Sequence, residues 1–288
     1  MTAPALVLLA HGSADDRVAQ VVHTLRKRMQ GQRPGLTVQL AFLDHCEPTC
    51  AQVVATLSIR EVHEAVFVPL DITHVYRTGD DAVATLEAVH RQYPDIALRL
   101  ARPIGPAAEL LTVVDLRLRQ ALSACHADEL DGLVFAVPDA GDPRGNALIH
   151  RRARQWRAHH KLPVQMAYAD GAGQSITAAV GALRTQGRRA IAVGFFFLDA
   201  DSVYTAQADQ ALAAGAMAVS APLGDDVRLL DLAMARYSVA ALDLLDDITP
   251  ADLDFDDVPE GAPLTATLPT ALPSTLPAAL PAALPAAV

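Results

Sequence analysis

Eight short apolar segments, arranged in two matching sets of four, constrain the fold of this chain most strongly. Each has the length of a strand and is wholly or mostly apolar, which is typical of a strand buried on both faces. The first set spans 5–10, 38–42, 65–70 and 97–101, and the second spans 133–137, 164–168, 190–196 and 217–221. Amphipathic stretches, such as 16–30 and 81–93, lie between them. This alternation predicts an α/β fold in which helices cover both faces of parallel sheets.

The second set repeats the first at nearly constant spacing. The corresponding pairs are Leu6 and Leu133, Val38 and Val164, Val66 and Ile191, and Ala97 and Met217. We interpret this correspondence as an internal duplication of a four-stranded unit. It predicts an N-terminal half over 1–124 that carries the functional site, a C-terminal half over 125–247 without the corresponding histidine, and a tail over 248–288.

The tail differs from the rest of the chain in composition. It contains no Lys or Arg, its acidic residues cluster at the start, and Leu-Pro recurs every four residues from 268 to 285. Proline at this spacing removes backbone donors and prevents a stable helix, so we expect an extended or disordered tail. The tail is either a dispensable extension or a docking segment, and in the second case the chain would serve as an interaction scaffold.

Composition and charge exclude several classes of protein. No run of about 18 uncharged apolar residues is present, so a membrane-spanning helix is not expected. The net charge of −10 arises mostly after Arg236, which leaves a nearly neutral body without the basic surface of a nucleic-acid binder. The odd number of cysteines and the lack of an export signal favour the reducing cytoplasm. None of these features predicts an oligomeric state.

Residues that directly follow the strands are the candidates for chemistry, since ligands of open α/β sheets bind beyond the carboxyl ends of the strands. In the first set these residues are His11 and Ser13, then Asp44 and Glu47, then Asp71, His74 and Arg77, and finally Arg102. Imidazole can bind a metal or accept a proton, whereas the acids could instead cap the helices that follow. The second set has no histidine at these places, so we expect the second half to be scaffold or substrate wall.

Four motifs stand in order at the ends of the four strands of the first set. They are Ala10-His11-Gly12-Ser13, Phe42-Leu43-Asp44-x-x-Glu47-Pro48, Val68-Pro69-Leu70 and Arg102-Pro103-Ile104-Gly105. With these motifs, about residues 4–245 resemble the class II tetrapyrrole chelatases, the sirohydrochlorin ferrochelatases and cobaltochelatases, in their long duplicated form. The resemblance implies a chelatase-like fold of two similar α/β halves with a cleft between them. It also implies insertion of Fe²⁺ or Co²⁺ into sirohydrochlorin, in siroheme or cobalamin biosynthesis, with the metal as substrate and no permanently bound cofactor.

The resemblance also implies roles for individual residues. His11 matches the first histidine of the family, Glu47 matches its second acid, and Asp44 stands where the family usually has glutamate. An ungapped match places Arg77 at the second histidine, and His74 lies three residues earlier. We expect His11, His74 and Asp44 to face the metal and Glu47 to assist catalysis. Ser13, Arg77 and Arg102 are expected to bind the tetrapyrrole. If Arg77 instead takes the metal-facing place, insertion would rest on His11 with Asp44 or Glu47, or it would be lost. In the second case the chain would be a degenerate member that binds a tetrapyrrole or a metal without inserting it.

Overall fold

The computed structural model describes residues 3–76, 80–127 and 129–246. The first half consists of β1 (Ala5–Ala10), α1 (Asp16–Gln32), β2 (Val38–Phe42), α2 (Cys50–Ile59), β3 (Glu64–Pro69), α3 (Asp80–Gln92), β4 (Ala97–Leu100) and α4 (Ala108–Ala124). The second half consists of β5 (Gly132–Val137), α5 (Pro143–His160), β6 (Val164–Tyr168), α6 (Ile176–Thr185), β7 (Ile191–Phe195), α7 (Ser202–Ala213), β8 (Ala218–Val219) and α8 (Val227–Asp246). All eight predicted strands are present, and their ends differ from the prediction by at most two residues.

Each set of four strands forms a parallel sheet, in the orders β2-β1-β3-β4 and β6-β5-β7-β8. The repeated order confirms the predicted α/β fold of two similar halves. One detail of the repeat differs from the prediction. Val66 lies opposite Leu6 in the first sheet, whereas Ala192 lies opposite Leu133 in the second. Val66 therefore corresponds to Ala192 and not to Ile191, because the hydrogen-bonded register, rather than apolar spacing, aligns the strands.

The central strands supply side chains to two cores at once, because successive residues of a strand point to opposite faces. In β1, Leu6 and Leu8 belong to a large core that both halves share. Val7 and Leu9 belong to a smaller core formed within the first half under α2 and α3. A third core occupies the matching place in the second half. This double burial accounts for the continuous apolar runs in the sequence.

The last helix of each half covers the sheet of the other half. α4 packs on β7 and β8, and α8 packs on β3 and β4. The Tyr237 hydroxyl of α8 donates to the Pro4 carbonyl at 2.6 Å, and Arg236 Nε donates to the Pro103 carbonyl at 2.9 Å. The two halves are thus interlocked, and separating them would uncover both sheets.

Aspartates that cap helices stand at the carboxyl edge of both sheets. Asp15 caps α1 by accepting the Arg17 N–H at 3.0 Å, Asp142 caps α5, and Asp201 caps α7. A carboxylate at this position satisfies an otherwise unpaired backbone donor and interacts favourably with the helix dipole. Since each cap closely follows a strand, the caps bring negative charge to the edge where the two halves meet.

The described residues belong to one compact unit, Met1–Ile248. The predicted tail over 248–288 lies outside the described residues, and the predicted borders at 124 and 247 stay a prediction. None of the described helices combines the length and apolar character that crossing a membrane requires.

Candidate functional site

A cavity of about 570 Å³ opens where the carboxyl ends of β1, β3, β5 and β7 face each other. Its polar lining comes from residues that follow these strands. They are His11, Ser13, Asp71, Thr73 and His74 of the first half, and Asp139, Asp199 and Asp201 of the second. Asp81, at the start of α3, also lines the cavity. Apolar side chains, among them Val18, Leu70 and Phe197, complete the wall. The cavity thus lies at the sheet edge where ligand binding is expected.

His11 directly follows β1, and its exposed side chain lines the cavity. The next residue, Gly12, has a φ of 94°, and a Cβ at this position would collide with the main-chain oxygen of Asp44. The Asp44 N–H in turn donates to the His11 carbonyl at 2.8 Å. The turn after β1 is therefore packed against the turn after β2, which fixes the point at which His11 leaves the sheet.

His74 lines the same cavity and is paired with Asp71 of its own loop. Nδ1 of His74 lies 2.8 Å from Oδ2 of Asp71, whose other oxygen accepts the backbone N–H groups of Thr73 and His74 at 2.9 and 3.0 Å. The hydrogen bond to Asp71 raises the pKa of His74. Burial alone would raise the pKa of Asp71, but His74 and the backbone donors lower it overall. Because Nδ1 is engaged, Nε2 is the imidazole nitrogen left for a ligand.

The second half fixes the loop that carries His74. The N–H groups of Val75 and Tyr76 donate to Oδ2 of Asp142 at 2.9 and 3.0 Å, while Oδ1 of Asp142 caps α5 through the Gly145 N–H at 2.6 Å. Backbone donors and the His74 charge outweigh burial and lower the pKa of Asp142. A Cβ at Gly145 would overlap the Thr73 carbonyl oxygen. The loop therefore lies directly on the first turn of α5.

Three carboxylates of the second half enter the cavity, although only the first half was expected to carry reactive groups. Burial raises the pKa of Asp139, whose carboxylate accepts the Gly141 N–H at 2.7 Å. Burial, reinforced by the neighbouring Asp201, raises the pKa of Asp199 to about 6. The available sequence signal was the position of these acids in the segments that follow β5 and β7, just as His11 and His74 stand in the segments that follow β1 and β3.

The two acids that follow β2 do not line the cavity. The Asp44 side chain is 63% exposed and pairs with His45 Nε2 at 3.2 Å. Glu47 is also exposed, and its Oε1 accepts from Gln52 Nε2 at 3.5 Å. The structure thus brings His11 and His74 together but leaves Asp44 and Glu47 outside their cavity.

The expected tetrapyrrole-binding residues have different positions. Ser13 lines the cavity, and its hydroxyl accepts the Asp15 N–H at 3.1 Å. The Arg102 guanidinium lies over the Tyr76 ring, 5.3 Å from its centroid, beside the His74 loop. Arg77 lies outside the described residues. The sequence pattern did not single out Arg17, which bridges the halves by donating from Nη1 to the Thr205 hydroxyl at 3.1 Å.

A second group of metal-ligand side chains lies away from the cavity, where Asp115 approaches His159 and His160. His160 Nε2 lies 2.6 Å from Asp115 Oδ1, which also accepts the Trp156 indole N–H at 3.4 Å. Arg119 binds the other oxygen of Asp115. With both oxygens engaged and a guanidinium in contact, this group is a polar network around the buried Asp115 carboxylate rather than a cation site.

Comparison with known proteins identifies the fold. Residues 5–121 match the CbiX family model. No curated protein matches the chain by sequence. SirB from Bacillus subtilis with Fe³⁺ superposes with a TM-score of 0.70 at 15% identity, over 85% of this chain and 98% of SirB. The sirohydrochlorin chelatase SirB from Bacillus subtilis subspecies spizizenii in complex with cobalt superposes with a TM-score of 0.69 at 14% identity. The match covers 85% of this chain and 97% of that SirB chain.

A third solved structure is similar over most of the chain. CbiX, described as the terminal enzyme for biosynthesis of siroheme in denitrifying bacteria, gives a TM-score of 0.54 at 19% identity, over 82% of this chain and 99% of that chain. At these identities the likeness establishes the fold of both halves, and the chemistry has to be argued from the cavity itself.

Proposed function

We propose that this chain, which belongs to the class II tetrapyrrole chelatase family, inserts Fe²⁺ or Co²⁺ into sirohydrochlorin. The observation that carries the proposal is the placement of two histidines, His11 and His74, in one cavity at the carboxyl edge of the first sheet. The family membership rests on the CbiX match over residues 5–121. The names of the similar SirB and CbiX structures support the same substrate and both metals.

The two histidines suit a metal that must be bound and then released. Neutral imidazole is a good ligand for Fe²⁺, Co²⁺ and Ni²⁺, and two such ligands leave most coordination positions to water or to the incoming macrocycle. The Asp71–His74 bond presents Nε2 of His74 to the cavity and orients the ring. A carboxylate behind a metal-binding histidine is a common supporting arrangement.

The cavity also suits a macrocycle that carries carboxylates. Its volume of about 570 Å³ lies within the range for small-molecule sites. Apolar side chains such as Leu70 and Phe197 offer contact to the face of a flat ring. Arg17 and Arg102 lie near the cavity, and with Arg77 they are the proposed partners of the substrate carboxylates. We expect Arg77→Ala to raise KM more than it lowers kcat.

An anaerobic absorbance assay with sirohydrochlorin and Fe²⁺, Co²⁺ or Ni²⁺ tests the proposal directly. His11→Ala should abolish metallation, and His74→Ala should reduce it at least about tenfold, a barrier change of about 1.4 kcal/mol. His63→Ala is the matched control, because His63 is exposed and precedes β3, at the end of the strand opposite to His74. It should metallate at the wild-type rate.

The assay also separates the proposed enzyme from a degenerate family member. Binding of sirohydrochlorin or metal without turnover would favour the degenerate alternative, which the position of Asp44 and Glu47 outside the cavity motivates. If the protein shows neither binding nor turnover, both the proposed enzyme and the degenerate alternative are refuted. Normal turnover in His11→Ala would move the site out of this cavity.

A further inference from the structure

Metal insertion requires a base as well as metal ligands. When a divalent metal enters sirohydrochlorin, two pyrrole N–H bonds break, and the protons must pass to acceptors within hydrogen-bond reach of the macrocycle. The resemblance assigns acids after β2 to the site, but Asp44 and Glu47 both lie outside the cavity. The carboxylates that do line the cavity are therefore the next candidates for the acceptor.

Five described carboxylates line the cavity, and four of them are exposed, paired with an imidazole, bound by two donors or used as a helix cap. Asp71 is bonded to the imidazole of its own loop at 2.8 Å, and Asp139 accepts hydrogen bonds from the Gly141 N–H at 2.7 Å and from the Thr73 side chain. Asp201 caps α7 by accepting a backbone N–H at 2.7 Å. Asp81 is exposed on α3. The remaining carboxylate is that of Asp199, on the loop that follows β7 in the second half.

Asp199 has the surroundings of a base that works near neutral pH. It is half-buried, and a hydrogen bond from the backbone of Asp201 stabilises its charge. The charged groups that face it are Asp201 on its own loop and Asp15 and Arg17 at the start of α1. Burial and the two acids outweigh Arg17, so that the pKa of about 6 makes Asp199 a stronger base than an ordinary carboxylate. It is still mostly ionised at pH 7.

We infer that Asp199 accepts a pyrrole proton during metal insertion, an inference that rests on the proposed function. One pyrrole N–H bond breaks, its electron pair stays on nitrogen to bind the metal, and the proton adds to an Asp199 oxygen. The second proton passes to water at the cavity mouth, and Asp199 then releases its own proton to solvent. The macrocycle thus loses two protons and gains one divalent cation, so its charge is unchanged and no oxidant or reductant is needed. The first half supplies the metal ligands, and the second half supplies the base.

The test compares Asp199→Asn with Asp209→Asn in anaerobic metallation of sirohydrochlorin by Co²⁺. Asp209 is exposed on α7, so the control carries the same change on the helix that follows the Asp199 loop. We expect Asp199→Asn to lower kcat about 100-fold, within the usual range for loss of a general base, with KM and the Co²⁺ affinity of the protein unchanged. Added formate or acetate should restore part of the rate in Asp199→Asn, which a purely structural role would not allow.

The remaining outcomes distinguish this inference from the proposed function. If the wild type metallates and Asp199→Asn keeps kcat within about threefold of it, Asp199 is not the acceptor. A loss in Asp199→Asn that formate does not relieve and that parallels weaker Co²⁺ binding would assign Asp199 to the metal, and the inference would be wrong. If Glu47→Gln loses activity and Asp199→Asn does not, the base is the acid that the resemblance selected. A wild type that binds sirohydrochlorin and Co²⁺ without turnover would refute both the proposed function and this inference.

Discussion

Gly145→Ala should displace the His74 loop while improving the helix that carries the new methyl group. The added Cβ would overlap the Thr73 carbonyl oxygen and lie 3.0 Å from its carbon, and both are backbone atoms that cannot rotate away. The loop must then move by about 1 Å, which stretches the two hydrogen bonds that its backbone N–H groups donate to Asp142. At about 1.5 kcal/mol for each bond to a charged acceptor, this loss outweighs the helix gain of about 1 kcal/mol from Gly to Ala.

The expected net effect is a decrease of about 2 kcal/mol in the free energy of unfolding, or roughly 4–8 °C in Tm for a body of this size. Metallation should fall further, by about 100-fold, because a displacement of ~1 Å is enough to misplace a reacting group. Thermal melting followed by circular dichroism and the anaerobic absorbance assay measure the two effects on the same preparation.

The control is Gly181→Ala, in the middle of α6, where a Cβ meets nothing within 4 Å. This variant gains only the helix propensity, so its Tm should rise by roughly 2–4 °C at unchanged activity. If Gly145→Ala behaved like Gly181→Ala in both measurements, the contact between the loop and α5 would not position His74, and the account of the site given above would be wrong.

Three further predictions concern the same loop. Asp142→Ala removes both the α5 cap and the acceptor for the loop and should lower the free energy of unfolding by about 2–3 kcal/mol. Asp142→Asn keeps a capping oxygen, so its Tm should lie between those of Asp142→Ala and the wild type. The pair with Asp71 raises the pKa of His74 above the ordinary histidine value of 6.5, so the stability that this pair contributes is present below pH 6.5 and is lost as the pH rises through the folded pKa. The difference in Tm between wild type and His74→Ala should therefore shrink over that interval. Metallation should follow the opposite course, rising with pH as His74 loses its proton and can bind metal, and a rate that is flat from pH 6 to 8 would argue against ligation by this ring.

Much of the fold could be predicted because its signals are local. A continuous apolar run bounded by polar residues identifies a doubly buried strand without knowledge of its partners, and the repetition of four runs predicts two like sheets. The placement of His11 follows from the same logic, since a residue directly after a strand must emerge at the sheet edge. The packing of α4 and α8 on the sheet of the opposite half could not be predicted in this way. The pattern of an amphipathic helix shows that one face is buried, but it does not show which sheet that face covers.

The positions of the acids depended on contacts between residues far apart in sequence. Asp44 stands two residues after the end of β2, but β2 is an edge strand of its sheet and its turn packs against Gly12, so the carboxylate is exposed to solvent. Asp199 follows β7, a central strand of the second sheet. It lies in the same cavity as residues of the first half because the two sheets face each other there. The order of the strands in each sheet cannot be read from the sequence, and this order decides which of the residues that follow strands share a site.

The duplication allows the two walls of the cavity to differ, with both histidines on the first half and Asp139, Asp199 and Asp201 on the second. Asp15 and Asp142 both cap the helix after the first strand of their half, and each also accepts a backbone N–H from the other half, Asp15 from Ser202 and Asp142 from Val75 and Tyr76. The same contact, made twice, closes the cavity at two places and leaves the residues beside each contact free to diverge. On the proposed function, the metal would be held at the wall that carries His11 and His74, while Asp199 would accept a proton at the opposite wall.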